Sequence, residues 1–577
     1  MKRALATVFL LTVALFSLGI SGGHLGVDDW SYTYGCAFVR SGLSWTNVGR
    51  AFAELGYCAI WMPLTFISYM ADFTLFGGGW PVHHAVNVAL HGINACLAFA
   101  FLLMLVRRFT GRDDRAVVWA CSVGALVWAL HPMRAEAVTF VAARKEELWT
   151  LFALVGSVAW IRFLERGDVA SCLLTVLAGA LACLSKPTAV CFPLLACLLQ
   201  VVLTRRFLFR LWAYLPMLAV SVTVGLIFSH AQSHPTDMAQ SSMFVAGFGW
   251  RLLNAAVAVG LYLWHTLVPT GVHFDYRAVF GGWPVDGILG LTVLGVSVAV
   301  LTFLFVRGVG RKALFFAVAW FLLALSPTLG IVGFVNGDQA LADRYAYLPA
   351  LGLSLPVALL LVAFSSRRFV WTTVGLALVA EVLLAVPVIR SFRDDFSAFS
   401  RTLARDPDHW RALRVVGNES CARLVRTDEG IRMLRRSLKL RGSQLTADSL
   451  AYVLALRGAS GDFAEVRRLG GAFLRDPKLD EHGMMLDALA IVSMREGDYA
   501  RAAALFKAAL AVPRRNHAPG HSLLNLGLSL ANLGKDAEAL SVLQGLVGNP
   551  DVSIRNRTVS AIATIRSGRV RSPFAWQ

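Results

Sequence analysis

Apolar runs in the first two thirds of this chain end in short polar loops, and the loops on one side mix acids with bases. They carry Asp28-Asp29 in GVDDWSY, then His131, Arg134, Glu136, Arg144, Lys145 and Glu146 in HPMRAEAVTFVAARKEEL, then Lys186 in ACLSKPTAV and Asp343-Arg344 in ALADRYAYLPALG. Carboxylates beside cations at a membrane surface suit a reaction in which a base activates one partner while positive charge holds an anionic other. A phosphate carried by a lipid is such a partner.

Each group also has a plainer reading. Consecutive residues in an extended segment face opposite ways, so only one of Asp28 and Asp29 points at a substrate while the other orients the loop. The dipeptide alone says little, since Asp113-Asp114 and Asp394-Asp395 repeat it where solvated surface explains it. Arg144 and Lys145 either snorkel to headgroups or capture a phosphate. Their company favours capture: with Arg134 they crowd one short loop, beside His131, on the cation-poor side. Lys186, isolated between apolar runs, needs an anionic partner, protein or ligand. Asp343 and Arg344 either brace a loop or send Arg344 to the same phosphate. His84, Asn87, His91 and Asn94 recur at helical spacing as a polar stripe beside His83, and suit an interhelical hydrogen-bond seam better than substrate contact. His84 and His91 stand about two turns apart, too far to share a metal directly. No Cys/His spacing resembles a zinc site, and no cofactor is expected.

These loops need a scaffold that returns them to one face. A chain of 577 residues, 56% hydrophobic, with a mean hydropathy of +0.61, is too apolar for a soluble domain and reads as a multi-spanning membrane protein. About eleven spans of the required ~20 residues fall near 4–20, 86–106, 116–130, 148–164, 169–184, 187–203, 211–229, 287–306, 313–333, 346–364 and 370–389. The Lys186-Pro187 step breaks the run from 169 to 203. Short loops holding Lys2-Arg3, Arg107-Arg108, Arg112, Arg115, Arg162, Arg166, Arg205-Arg206, Arg210, Arg307, Arg311-Lys312 and Arg367-Arg368 then lie inside, with the amino terminus. The stretch 250–268, apolar but punctuated by Asn254, Trp264 and His265, reads as re-entrant or interfacial, because a full crossing would place Arg307, Arg311 and Lys312 outside. The first segment also fits a cleaved signal peptide; a retained anchor is preferred because it holds the Asp28-Asp29 segment in place. Of the nine cysteines, Cys36, Cys58 and Cys421 lie outside the spans, and Cys36–Cys58 is either a disulfide or two thiols. The net charge of +18 does not mark a nucleic-acid binder, since no basic stripe interleaved with aromatics occurs in the soluble part. A transporter would carry ionisable groups near mid-span, whereas here they crowd the span ends.

Residues 1–390 therefore form a mainly α-helical, polytopic membrane domain, whose external loop 21–85 carries enough apolar residues for short helices along the membrane surface. Beyond Arg390 the composition becomes that of soluble helices. Segments starting at 427, 461, 497 and 534, spaced by 34, 36 and 37 residues, read as helix hairpins in which a Gly-Asp turn starts the second helix and a proline closes the unit. Residues 391–577 are thus an α-helical solenoid resembling tetratricopeptide repeats.

With VDDWSY, WMPLTFISYMADFTLFG followed by HHAVNVALHGINA, HPMRAEAVTFVAARKEEL, LSKPTAVCFP and ADRYAYLPALG in order across roughly residues 25–355, the chain resembles the transmembrane-and-tetratricopeptide-repeat glycosyltransferases. These are the O-mannosyltransferase-like group of the GT-C fold, and the likeness is greatest to their bacterial relatives. The resemblance implies an inverting, metal-independent transfer of mannose or another hexose from a polyprenyl-phosphate donor to a protein Ser/Thr hydroxyl. It makes Asp28 or Asp29 the base. His131, Arg134, Arg144, Lys145, Lys186 and Arg344 become the donor-phosphate ligands, with Glu136, Asp343, His84 and His91 in support. It also implies an inner-membrane location with the loops and repeats in the periplasm, and repeats that take the protein acceptor. Bacterial relatives usually carry His or Arg where this chain has Met62. The alternative is a non-catalytic membrane scaffold whose repeats assemble partner proteins.

Overall fold

A computed structural model describes residues 1–55, 60–204, 211–232, 247–277, 285–306, 310–331, 341–422, 427–471, 475, 483–512, 520–549 and 552–567. The chain divides into two compact units, Met1–Arg405 and Asp406–Gln577. The described residues are helical or irregular, with no strand among them.

The first unit begins with α1 (Lys2–Phe16), followed by α2 (Asp29–Tyr32), α3 (Ala37–Arg40), α4 (Trp45–Ala53) and α5 (Pro63–Phe76). The expected loop is thus a set of short helices. Ser44 caps α4 by accepting the Asn47 amide, and Pro63 opens α5 where its missing N–H is not needed. The long helices follow as α6 (Trp80–Thr110), α7 (Arg115–Ala129), the short α8 (Arg134–Thr139), α9 (Arg144–Arg166), α10 (Val169–Ser185), α11 (Phe192–Thr204) and α12 (Tyr214–Gln232). Asp114 and Asp168 cap α7 and α10 by accepting the amides of Val117 and Ser171. Asp114 is therefore a helix cap, and the Asp113-Asp114 pair is more than solvated surface. Lys186 is extended and Pro187 starts a single 3₁₀ stretch, so the break expected there is present. The unit ends with α13 (Phe248–Leu267), α14 (Val285–Val306), α15 (Arg311–Leu325), α16 (Leu351–Ala363), α17 (Arg368–Ser391) and α18 (Asp395–Arg405).

Among the described residues, eight helical segments are long and apolar enough to cross a membrane, and α7, α10 and α16 are three further, shorter apolar helices. These coincide with the runs marked by hydropathy, and the chain is a multi-pass membrane protein. At 13 residues α16 is about 20 Å long, less than the ~30 Å of a hydrocarbon core.

The stretch read as re-entrant or interfacial forms one uninterrupted helix, α13, from Phe248 to Leu267, and is not among the eight long apolar segments. It packs along α14 with Gly260 against Gly290 so closely that a Cβ on either would run into the other helix's backbone. Cys421 is a free thiol and the Cys36 side chain is buried. Cys58, Arg205, Arg206, Arg210 and Arg307 lie outside the described residues.

In the second unit the described helices are α19 (Trp410–Ala422), α20 (Thr427–Leu440), α21 (Gln444–Arg457), α22 (Asp462–Leu469), α23 (Met484–Arg495), α24 (Tyr499–Leu510), α25 (Gly520–Asn532), α26 (Asp536–Gln544) and α27 (Val552–Arg566). Turns at Gly461, Gly497 and Gly534, with φ of 85°, 85° and 78°, start α22, α24 and α26. Asp498 caps α24 through the Arg501 amide. Leu450, Leu454, Val466, Met485, Leu489, Phe506, Leu524, Leu528 and Leu543 share one continuous core, the stacked-hairpin arrangement that the repeat spacing predicts.

Gly260→Ala is expected to lower the apparent unfolding midpoint of the solubilised protein, at a cost of about 1–3 kcal/mol from overpacking. A thermal scan against wild type measures it, and an unchanged midpoint contradicts the close α13–α14 contact.

Candidate functional site

The two aspartates after α1 have separated roles. Asp29, 1% exposed, turns inward: one carboxyl oxygen accepts the Leu25 amide at 2.8 Å and the other the Ala142 amide at 2.6 Å. Burial pushes this carboxyl up to about 8, against the pull of those two amides. Asp28 is half-buried, and its carboxylate makes no hydrogen bond or ion pair among the described residues. It lies within electrostatic reach of Lys145 and Arg344.

Around Asp28 the structure gathers Lys145, Lys186, Arg344, Glu136 and Glu146. The Lys145 ammonium stands 4.6 Å from the centre of the Tyr32 ring and 3.3 Å from its hydroxyl, and has no carboxylate within ion-pair distance among the described residues. Lys186 pairs with Glu146, whose other oxygen accepts the Trp149 indole N–H at 3.0 Å. Arg344 pairs with Glu136, which also accepts the Arg344 backbone amide at 3.0 Å. Tyr345 sits between two cations, 4.7 Å from the Lys186 ammonium and 4.7 Å from the Arg344 guanidinium. Asp343 faces elsewhere, accepting the Tyr276 hydroxyl at 2.9 Å with its second oxygen 3.6 Å from His265 Nδ1.

The remaining candidates brace the bundle. Arg144 is fully buried: it pairs with Asp72 at 2.7 Å, donates to Asn87 Oδ1 at 2.7 Å and His83 O at 2.9 Å, and lies 4.5 Å from the Tyr69 ring. Arg134 donates to the carbonyls of Ala346 and Tyr347, both at 2.9 Å. His131 accepts the Met133 amide at Nδ1, which leaves Nε2 to donate to Thr266 O at 3.2 Å. Burial, with Arg134 adding to it, pushes this imidazole down to about 3, so at neutral pH it contributes no positive charge. His84 contacts Gly23 O at 2.8 Å, and His91 bridges the Tyr347 hydroxyl at 2.6 Å and Ala129 O at 3.0 Å. Asn87 and Asn94 donate to Val138 O and Glu147 O, which completes the seam expected of this stripe. Met62 is buried at the start of α5.

Sequence reasoning missed Tyr32, Tyr345 and Asp395. Both tyrosines lie within quoted motifs, and a phenol beside cations is the signal that could have marked them. Asp395, read as solvated surface, instead binds the Gly26 amide through both carboxylate oxygens at 3.0 Å.

Two outcomes follow from these contacts. Because the Asp29 pKa is raised in the fold, its stabilising contribution is whole below the ordinary carboxylate range and is lost as pH rises through about 8. The apparent unfolding midpoint should therefore fall more between pH 5 and pH 9 in wild type than in Asp29→Asn, and equal slopes contradict the buried acid. Arg144→Met should cost about 3–5 kcal/mol, because Asp72 is left buried without its cation; a midpoint near wild type contradicts the bracing role.

No family model matches the chain. Protein O-mannosyl-transferase TMTC4 of Mus musculus is 31% identical over 137 residues, 22% of this chain and 18% of that protein. Protein O-mannosyl-transferase Tmtc2 of Drosophila melanogaster is 27% identical over 197 residues, 32% of this chain and 20% of that one. Protein O-mannosyl-transferase F38B6.6 of Caenorhabditis elegans is 22% identical over 331 residues, 54% and 44% of the two chains. The chain spans about a fifth of the length of the first two relatives and under half of the third. Among solved structures, yeast Tom70 aligns over 82% of this chain and 97% of its own at 12% identity, with a TM-score of 0.20 that carries no argument about fold. In sequence, this multi-pass helical chain resembles the TMTC protein O-mannosyl-transferases.

Proposed function

We propose that the chain is a membrane glycosyltransferase of the GT-C kind, moving mannose or another hexose from a polyprenyl-phosphate donor to a protein Ser/Thr hydroxyl on the extracytoplasmic side. In a bacterium this would be the periplasmic face of the inner membrane. The observation that carries the reading is Asp28, whose carboxylate has no hydrogen-bond partner among the described residues and lies within electrostatic reach of Lys145 and Arg344, while its neighbour Asp29 is tied into the fold. The names of the similar proteins support the same class.

Asp28 takes the proton of the acceptor hydroxyl as that oxygen attacks the anomeric carbon. The bond from this carbon to the phosphate oxygen breaks, and attack from the opposite side inverts the centre. Negative charge grows on the leaving lipid phosphate. Lys145, which lacks an ion-pair partner among the described residues, meets it first, with Arg344 and Lys186 held alongside by their glutamates. These side chains supply the positive charge that a metal ion could otherwise provide. Arg144, Arg134 and His131 hold the scaffold, and Asp343, His84 and His91 orient the segments that carry the site. The second unit presents the acceptor protein, since stacked helix pairs offer extended binding surface.

Purified full-length protein, incubated with a panel of polyprenyl-phosphate sugars and acceptor peptides or proteins, should yield glycosylated product by mass spectrometry. Asp28→Asn should lower kcat by about 10²–10⁴-fold, the usual contribution of a general base. Lys145→Met should raise the donor KM about tenfold, as expected for loss of about 1.4 kcal/mol of charge-assisted binding. Full turnover in Asp28→Asn removes it as base; donor binding without product under every combination identifies a scaffold instead.

A further inference from the structure

We infer that α18, the helix after the last span, is a strap that positions the Asp28 loop, with Asp395 as its positioning residue. The inference rests on the reading of Asp28 as the base. Two backbone amides ahead of Asp28 are held here, one by the turn that leads into α18 and one by its first residue. Gly23 N donates to Arg393 O at 2.8 Å, and Gly26 N donates to both Asp395 oxygens at 3.0 Å. Asp394 is engaged differently, accepting the Ser397 amide at 2.7 Å at the start of α18. Gly26 is what permits the approach, because a Cβ there would stand 2.7 Å from Asp395 Oδ2. Asp28 thus lies between two carboxyl anchors, Asp395 gripping Gly26 before it and Asp29 gripping Leu25 and Ala142 beside it.

The same helix grips a second segment of the site. Arg401 donates to Val272 O at 2.8 Å, Thr402 bonds Phe274 O and Arg405 bonds Thr270 O. The Phe274 ring meets Phe399 edge-on at 5.2 Å. That segment continues to Tyr276, whose hydroxyl donates to Asp343, the neighbour of Arg344. Loops 23–26 and 270–274 leave backbone groups that their own short elements do not satisfy, and a buried peptide group needs a partner. One helix of 11 residues therefore fixes the acidic loop and the support of the Asp343-Arg344 pair together.

The test reads two signals from full-length protein in nanodiscs: hydrogen–deuterium exchange over peptides spanning residues 22–36, and steady-state transfer from a polyprenyl-phosphate sugar. Asp395→Ala should raise exchange at this segment about tenfold or more, the signature of a lost local anchor. It should also lower kcat about tenfold or more with donor KM unchanged, because the base is displaced while the cations stay. Asp395→Asn keeps one oxygen acceptor and should raise exchange less; it serves as the reading variant where Asp395→Ala does not purify as folded protein. Unchanged exchange overturns the strap, and raised exchange with unchanged kcat overturns its positioning role. A wild-type protein that transfers no sugar refutes the proposed function, while the exchange signal still decides the strap.

Discussion

The Asp29 carboxyl joins two stretches of chain that are distant in sequence, taking the amide of Leu25 with one oxygen and that of Ala142 with the other. A carboxyl buried without such donors would cost several kcal/mol, so the loop can close over this group only when both amides arrive. Asp28, one residue away, does not share those donors and lies within electrostatic reach of Lys145, at the start of α9, and of Arg344.

The cations are placed by pairing rather than by attraction to solvent. Buried ion pairs add little net stability, because desolvation offsets their attraction, yet breaking one leaves an uncompensated charge. The Glu146–Lys186 and Glu136–Arg344 pairs therefore act as position markers, with Tyr345 filling the space between the two cations. Lys145 differs in resting on the Tyr32 ring without a carboxylate at ion-pair distance among the described residues. This arrangement gathers positive charge close to Asp28.

Much of the fold was legible in the chain because hydropathy and turn chemistry are local. The apolar runs, the Lys186-Pro187 break, the polar stripe from His84 to Asn94 and the Gly-Asp turns of the repeats follow from neighbouring residues alone. The site was legible only in part. Arg144 and Lys145 are adjacent and look equivalent in sequence, yet a helix turns about 100° per residue, so one guanidinium reaches Asp72 and Asn87 while the neighbouring ammonium reaches Tyr32. Asp395 looks like the other surface acids, and only the return of α18 over the first loop gives it the Gly26 amide.

By itself the sequence determined which segments are apolar enough to cross, where the helices stop, and that acids and bases gather at one set of span ends. These properties depend on side chains within a turn or two of one another. Tertiary structure alone decided which acid meets which base, because partners such as Glu136 and Arg344, 208 residues apart, or Gly26 and Asp395, 369 apart, are chosen by how helices pack. In a low-dielectric interior an unpaired polar group is costly, and the packing of the bundle sets which partner is within reach.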